Sequence, residues 1–339
     1  ACIVKSINWG PWDGGMVSPA LKAHFKELGV PLIPLDRGAQ ILVEEIQEGG
    51  PGKVEVVIGP SPEQGALAAA GVERELSLRL LVDRSDYPYL NSHQIKGKPV
   101  VPAVMVLEWF TRAGNLFQPN STVVACQDLK VLRGIQLEEF QSHGDLLSLS
   151  CRQGSNGSLP ELALKVPGMK TSACYTASVV LSEPGQKPDQ GKISPLPSEM
   201  GSWSWGLDKA YKEYLFHGPD FQVIRSLEKL SHDAASAILA GTKEMGWPGE
   251  MWKTDVAALD GGLQLAILWG ANLLGRQSLP TKIGAYYNYH EGLVSGPIRC
   301  ELQGRAEGND RTVSDISFFD EKGKLIAKMC DVEMHMLAG

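Results

Sequence analysis

Two segments of the chain, 103–116 and 255–274, are apolar on nearly every face at helical spacing. A helix with no polar stripe has to be enclosed by protein or by lipid. Each segment is flanked by runs in which apolar and polar residues alternate. Around the first helix these runs are 73–82, 123–135, 145–151 and 172–181. Around the second they are 221–230, 235–241, 282–290, 298–306, 313–319 and 324–336. Alternation of period two is the mark of strands with one buried face. Asp260, Gln264 and Asn272 interrupt the second helix, which favours a protein core over a membrane span. The expectation is an α+β chain with one plan used twice: strands curled around a buried helix, with no evident identity between the copies.

A stretch rich in Pro, Gly, Lys and Ser separates the two copies, giving expected units at 76–183 and 202–339 with a linker at 184–201. Residues 1–60 read differently, as strand, helices near 20–28 and 37–48, and a strand at 53–58 closed by Gly59-Pro60. That stretch has too little apolar surface for a free-standing domain and is expected to be the end of a larger one. A small-residue connector is expected at 61–75.

Composition narrows the function. With 43% hydrophobic and 21% charged residues the chain suits a globular protein with a sizeable core. A formal charge of −7 without a basic run argues against nucleic acid. A local basic patch is still compatible with docking an acidic protein. The six cysteines form no CxxC pair, so no zinc knuckle or disulfide framework is expected, and reduced thiols suit the cytoplasm. Residues 1–8 do not read as a secretory signal.

Three motifs carry chemistry. In the first, His93 is followed by Gly97 four positions on and Pro102 five further, directly before the first apolar helix. Pro102 is expected at the first helical position, where no intrahelical donor is lost, and Gly97 permits close approach of backbone to a ligand. The helix start offers unpaired N–H groups and a positive dipole end. An imidazole beside such a site suits proton removal next to a thioester carbonyl. In the second motif, Leu259-Asp260-Gly-Gly-Leu-Gln264, the acid and the amide share one helical face. Burial among Val256, Leu259 and Leu263 should raise the Asp260 pKa and keep it protonated, as a general acid requires. Asp255 is the better helix-cap candidate. The third motif, His217-Gly218-Pro219-Asp220-Phe221, is a tight turn whose aromatic ring could line a channel. Tyr286, Tyr287, Tyr289 and His290 read as packing. There is no GxSxG elbow, no phosphate-binding loop and no i, i+4 histidine pair.

The order HxxxGxxxxP, HGPDF, LDGGLQ resembles the dehydratase domains of polyketide and fatty acid synthases, and the phrasing is closest to the dehydratase-like regions of bacterial polyunsaturated fatty acid synthases. The likeness covers about 75–337. It implies a double hot-dog fold, two antiparallel sheets each wrapped around a central apolar helix, with His93 and Asp260 meeting in one tunnel. By the same likeness His93 is base at the α-carbon and Asp260 acid at the β-hydroxyl. Gly97 offers its N–H to the thioester carbonyl, and Gln264 holds Asp260. Ala103 stands where such domains commonly have glycine, and His217 where they have tyrosine. Separately, Ser6-Ile-Asn-Trp-Gly-Pro-Trp and Pro34-Leu-Asp-Arg-Gly resemble the end of a synthase ketoreductase, a short α/β Rossmann tail lacking that enzyme's cofactor loop and catalytic residues. The implied reaction is dehydration of 3-hydroxyacyl-ACP to 2-enoyl-ACP inside a multienzyme. It needs no metal or redox cofactor, and the substrate rides on the phosphopantetheine of an acyl carrier protein. Open alternatives are a dehydratase that also isomerises the double bond, a non-catalytic double hot-dog that binds the acyl chain, and a hot-dog thioesterase.

Overall fold

The structure, a computed structural model, describes residues 6–14, 17–18, 21–22, 25, 32–47, 55–58, 75–154, 158–169, 173–190, 193–249 and 252–337. It divides into two units, Ala1–Arg74 and Glu75–Gly339.

In the first unit, strand β1 (Ser6–Trp9) pairs in parallel with β2 (Glu55–Ile58), Ser6 lying opposite Glu55. Parallel neighbours need a crossover between them, and helix α1 (Leu35–Gln47) lies between them in the chain. Trp12 packs against Gly38 of α1, where a Cβ would come within 2.5 Å of the ring. The helix expected at 20–28 lies largely outside the described residues, as does the connector at 61–75.

The second unit begins with β3 (Glu75–Val82), a 3-10 turn (Pro88–Ser92) and a minimal hairpin, β4 (Gln94–Ile95) and β5 (Lys98–Pro99). Helix α2 (Ala103–Phe117) follows, then β6 (Thr122–Val131), β7 (Asp145–Arg152), β8 (Glu161–Lys165) and β9 (Tyr175–Ser182). The second copy holds β10 (Ile224–Leu230), β11 (Ala234–Leu239), α3 (Val256–Leu274), β12 (Ser278–Asn288), β13 (Ile298–Glu307), β14 (Arg311–Phe319) and β15 (Leu325–Met336). All the long strands join one eleven-stranded antiparallel sheet, ordered β10-β11-β13-β14-β15-β12-β6-β9-β8-β7-β3. The two expected sheets are therefore continuous. They meet where β6 pairs with β12, Cys126 opposite Tyr286.

Each half of this double hot-dog wraps its helix closely, and glycines set the distance. Gly114 of α2 lies where a Cβ would come within 2.6 Å of Val123 on β6. In α3 a Cβ on Gly262 would come within 2.5 Å of Phe318, and one on Gly261 within 2.9 Å of Leu239. The adjacent glycines of the LDGGLQ motif thus let α3 settle onto the concave sheet. By length and composition α3 could cross a membrane, but 89% of its apolar window is buried inside the protein. Asp255 caps it, accepting from the Ala258 N–H at 3.2 Å, and Gly275 ends it in the left-handed region.

Several boundaries differ from the alternation. Strand β6 stops at Val131, four residues short of the expected end, after a register shift near Asp128, whose φ is +50°. Phe221 belongs to a 3-10 turn (Pro219–Phe221) rather than to β10. Strand β8, only five residues long, gave too short a pattern to detect. Pro102 is the extended residue just before α2, one position earlier than expected. The stretch expected as a linker is irregular but tied down: Gln303 Nε2 donates to the carbonyls of Ser194 and Pro195, each at 2.9 Å.

Candidate active site

Between α2 and α3 lies a cavity of about 540 Å³ with a mostly apolar wall; Val100, Pro102, Ala103, Leu263 and Ile267 contribute to it. Its polar lining includes His93, His217 and Asp260, all buried.

The local fold explains the spacing after His93. Lys96 and Gly97 turn the β4–β5 hairpin with φ of +52° and +79°, the conformation a two-residue hairpin turn demands. Gln94 then pairs with Pro99 and Ile95 with Lys98, so Val100 arrives opposite His93. Val100 N–H donates to the His93 carbonyl at 2.9 Å, and the His93 ring returns a bond from Nδ1 to the Val100 carbonyl at 2.8 Å. A carbonyl only accepts, so Nδ1 carries the proton and Nε2 keeps its lone pair. Burial lowers the His93 pKa to about 4, against a smaller opposing effect of the Val100 bond. The ring is neutral at pH 7 and competent as a base.

Gly97 is exposed at the tip of that hairpin and does not line the cavity. This corrects the expectation that its N–H meets the substrate carbonyl; the position demands glycine for its positive φ. The cavity is instead met by the start of α2, Pro102 and Ala103, where the first N–H groups have no intrahelical acceptor.

Asp260 projects from α3. Gln264, one turn on, donates from Nε2 to Asp260 Oδ2 at 2.7 Å and to the Phe221 carbonyl at 2.8 Å. Its Oε1 accepts from the Tyr211 hydroxyl at 2.8 Å, and that hydroxyl accepts from the Ile224 N–H at 3.0 Å. Burial raises the Asp260 pKa to about 7, with the Gln264 bond pulling the other way. Tyr211 sits in a π-helical turn (Ala210–Tyr214) that no sequence pattern announced.

The HGPDF turn joins the halves. Gly218 N–H donates to the Ser92 carbonyl at 2.7 Å, next to an antiparallel bridge between His93 and His217. Ser92 Oγ donates to Asp220 Oδ2 at 2.8 Å, and a Cβ on Gly218 would crowd Ser92 at 3.1 Å. The Phe221 ring centroid is 5.0 Å from that of His93. His217 Nε2 lies 3.4 Å from Asp260 Oδ2, while its Nδ1 is buried with no partner. Burial, then the neighbouring His93, hold the His217 pKa well below the usual value. Ring nitrogens of the two histidines and an Asp260 oxygen all lie within 4.8 Å of one another. The structure thus gathers His93, His217, Phe221, Asp260 and Gln264, with Gly218 and Pro219 forming the turn that joins them. Ser92, Val100 and Tyr211 are the supporting groups that sequence reasoning missed, and Asp220, quoted there only as part of the turn, has its role through Ser92.

Residues 204–339 match the family model described as polyketide synthase dehydratase N-terminal domain. Over 353 aligned residues the chain is 26% identical to a polyunsaturated fatty acid synthase polypeptide of Thraustochytrium sp. (strain ATCC 26185 / S-3), covering 99% of this chain and 12% of that protein. Among solved structures, the dehydratase domain from the CurF module of curacin polyketide synthase superposes with a TM-score of 0.60 at 17% identity, covering 79% of this chain and 95% of that one. The PpsC dehydratase domain of Mycobacterium tuberculosis, in complex with C12:1-CoA, gives 0.59 at 17% identity, covering 78% and 94%.

Proposed function

We propose, for a double hot-dog chain whose residues 204–339 carry the polyketide synthase dehydratase signature, that it removes water from a 3-hydroxyacyl thioester to give the 2-enoyl thioester. One observation carries this reading. A base with its proton fixed on the far nitrogen and an acid with a pKa of about 7 face one apolar cavity within 4.8 Å.

His93 Nε2 takes the proton from the carbon next to the thioester. The electron pair left behind forms the double bond, and the β-hydroxyl leaves with the Asp260 proton as water. Negative charge growing on the thioester oxygen is met by the Ala103 N–H and the positive end of α2, which Pro102 precedes. Gln264, held by Tyr211, fixes the carboxyl. The gap between His93 and Asp260 is one a water molecule can span, so the proton on His93 returns to Asp260 and the cycle closes. His217, Gly218, Pro219 and Phe221 hold the two halves in register.

The substrate is carried on the phosphopantetheine of an acyl carrier protein, inside a larger cytoplasmic synthase. A much longer synthase relative, of which the chain spans 12%, supports such an assembly. The β1-α1-β2 unit is read as the end of an upstream ketoreductase. No metal or redox group is required for the elimination.

The test is incubation with a 3-hydroxyacyl pantetheine thioester, followed by mass spectrometry for loss of one water. His93→Ala and Asp260→Asn should each lower kcat by about 10²–10⁴-fold. A wild type that binds the thioester without turnover would make the domain an acyl-chain binder, and release of free acid would make it a thioesterase.

A further inference from the structure

We propose that His93, His217 and Asp260 also form a zinc site, so that the catalytic pocket is closed reversibly by zinc ions. His217 Nε2 and Asp260 Oδ2 are 3.4 Å apart. That lies within the range for the edge of a tetrahedron, about 3.3–3.6 Å, when zinc–nitrogen and zinc–oxygen bonds are about 2.0–2.2 Å. His93 already has the support typical of a metal-bound imidazole, with Nδ1–H donating to the Val100 carbonyl at 2.8 Å and Nε2 unencumbered. Asp260 is braced by Gln264, which Tyr211 holds in turn. All three donor sets fall within 4.8 Å of one another, and they are the one such group among the described residues. Modest convergence completes three protein bonds, leaving a fourth position facing the cavity for water.

His217 is what makes the site. Its Nε2 faces an oxygen that already accepts from Gln264, at a distance too long for a good hydrogen bond, and its Nδ1 has no partner. A cation takes the imidazole and carboxylate lone pairs together and removes the conflict. Two imidazoles and one carboxylate with an open position form a donor set that zinc commonly takes. Zinc bound there would occupy the lone pair of His93 and an oxygen of Asp260.

Binding is measured first, on the full chain stripped with a chelator and titrated with zinc against a chromophoric competitor. One zinc per chain at low-micromolar affinity is expected. His217→Phe, which keeps the ring stacked on Phe216, and Asp260→Asn should each weaken it at least about tenfold. Cobalt(II) in place of zinc should give a tetrahedral spectrum without a thiolate charge-transfer band, and X-ray absorption on the wild-type zinc complex should report a nitrogen and oxygen shell with imidazole scattering. A sulfur shell, affinity weaker than millimolar, or undiminished binding in both folded variants would overturn the site. Only the accompanying inhibition, reversed by EDTA, rests on the dehydratase reading. An inactive wild type that still binds zinc through imidazole would sink that reading and leave the zinc site standing.

Discussion

At the scale of single residues, His93 and Asp260 respond in opposite ways to one buried environment, which suits the proposed roles of base and acid. Burial disfavours charge on both, so the histidine stays neutral down to about pH 4 and the acid stays protonated up to about pH 7. The proposed elimination requires neutral His93 and protonated Asp260. The pH profile of kcat/KM should therefore rise through about 4, stay level, and fall through about 7. A rate that climbs above about pH 7 would contradict Asp260 as the acid. The Gln264 bond lowers the Asp260 pKa, so Gln264→Met should move the alkaline limb to higher pH while kcat drops from lost orientation. An unmoved limb would mean that the amide does not tune the acid.

At the scale of elements, turns and helix seats decide where these groups point. Gly97→Ala puts a side chain at φ +79°, where nothing crowds it. The cost is the left-handed backbone alone, about 1–2 kcal/mol, read as a lower denaturation midpoint. A kcat loss on the order of 10²-fold would instead return Gly97 to the reaction as a donor to the oxyanion. Gly262→Ala acts by contact, since its Cβ would come within 2.5 Å of the Phe318 ring. Lifting α3 from its seat should cost about 1–3 kcal/mol and lower kcat as Asp260 moves with the helix. Both enclosed helices and most strands of the second unit were legible in the sequence, because an enclosed helix leaves a long apolar run and a half-buried strand leaves an alternation. Strand β8 and the end of β6 were not, one being too short and the other set by a bulge at Asp128.

At the scale of the whole molecule, the second unit is knit by a shared sheet and by one buried acid. Glu108 of α2 is fully buried and reaches the loop before α3. It accepts from the Lys253 and Thr254 N–H groups at 3.0 and 2.8 Å, from Thr254 Oγ1 at 2.7 Å, and from Arg112 Nε at 2.6 Å. Glu108→Ala strands the buried N–H and Oγ1 of Thr254, at a cost of about 1–3 kcal/mol for each donor left unpaired. Because β6 and β12 are paired along the junction, residues 75–337 should still unfold in one transition. Two resolved transitions in denaturant would show the halves to be energetically separate.

The sequence by itself determined the repeated plan, the apolar helices and the capping Asp255, and it singled out His93, Asp260 and Gln264 as candidates for chemistry. Those follow from periodicity and from the intrinsic character of side chains, which are local. Only the tertiary structure decided that the Val100 carbonyl fixes the His93 tautomer, that Tyr211 braces Gln264, and that His217 stands 3.4 Å from Asp260. It also moved Gly97 from the pocket to a hairpin tip. Such partners come together through hairpin register and the docking of two halves, and contacts between distant residues leave no trace in the order of neighbours along the chain.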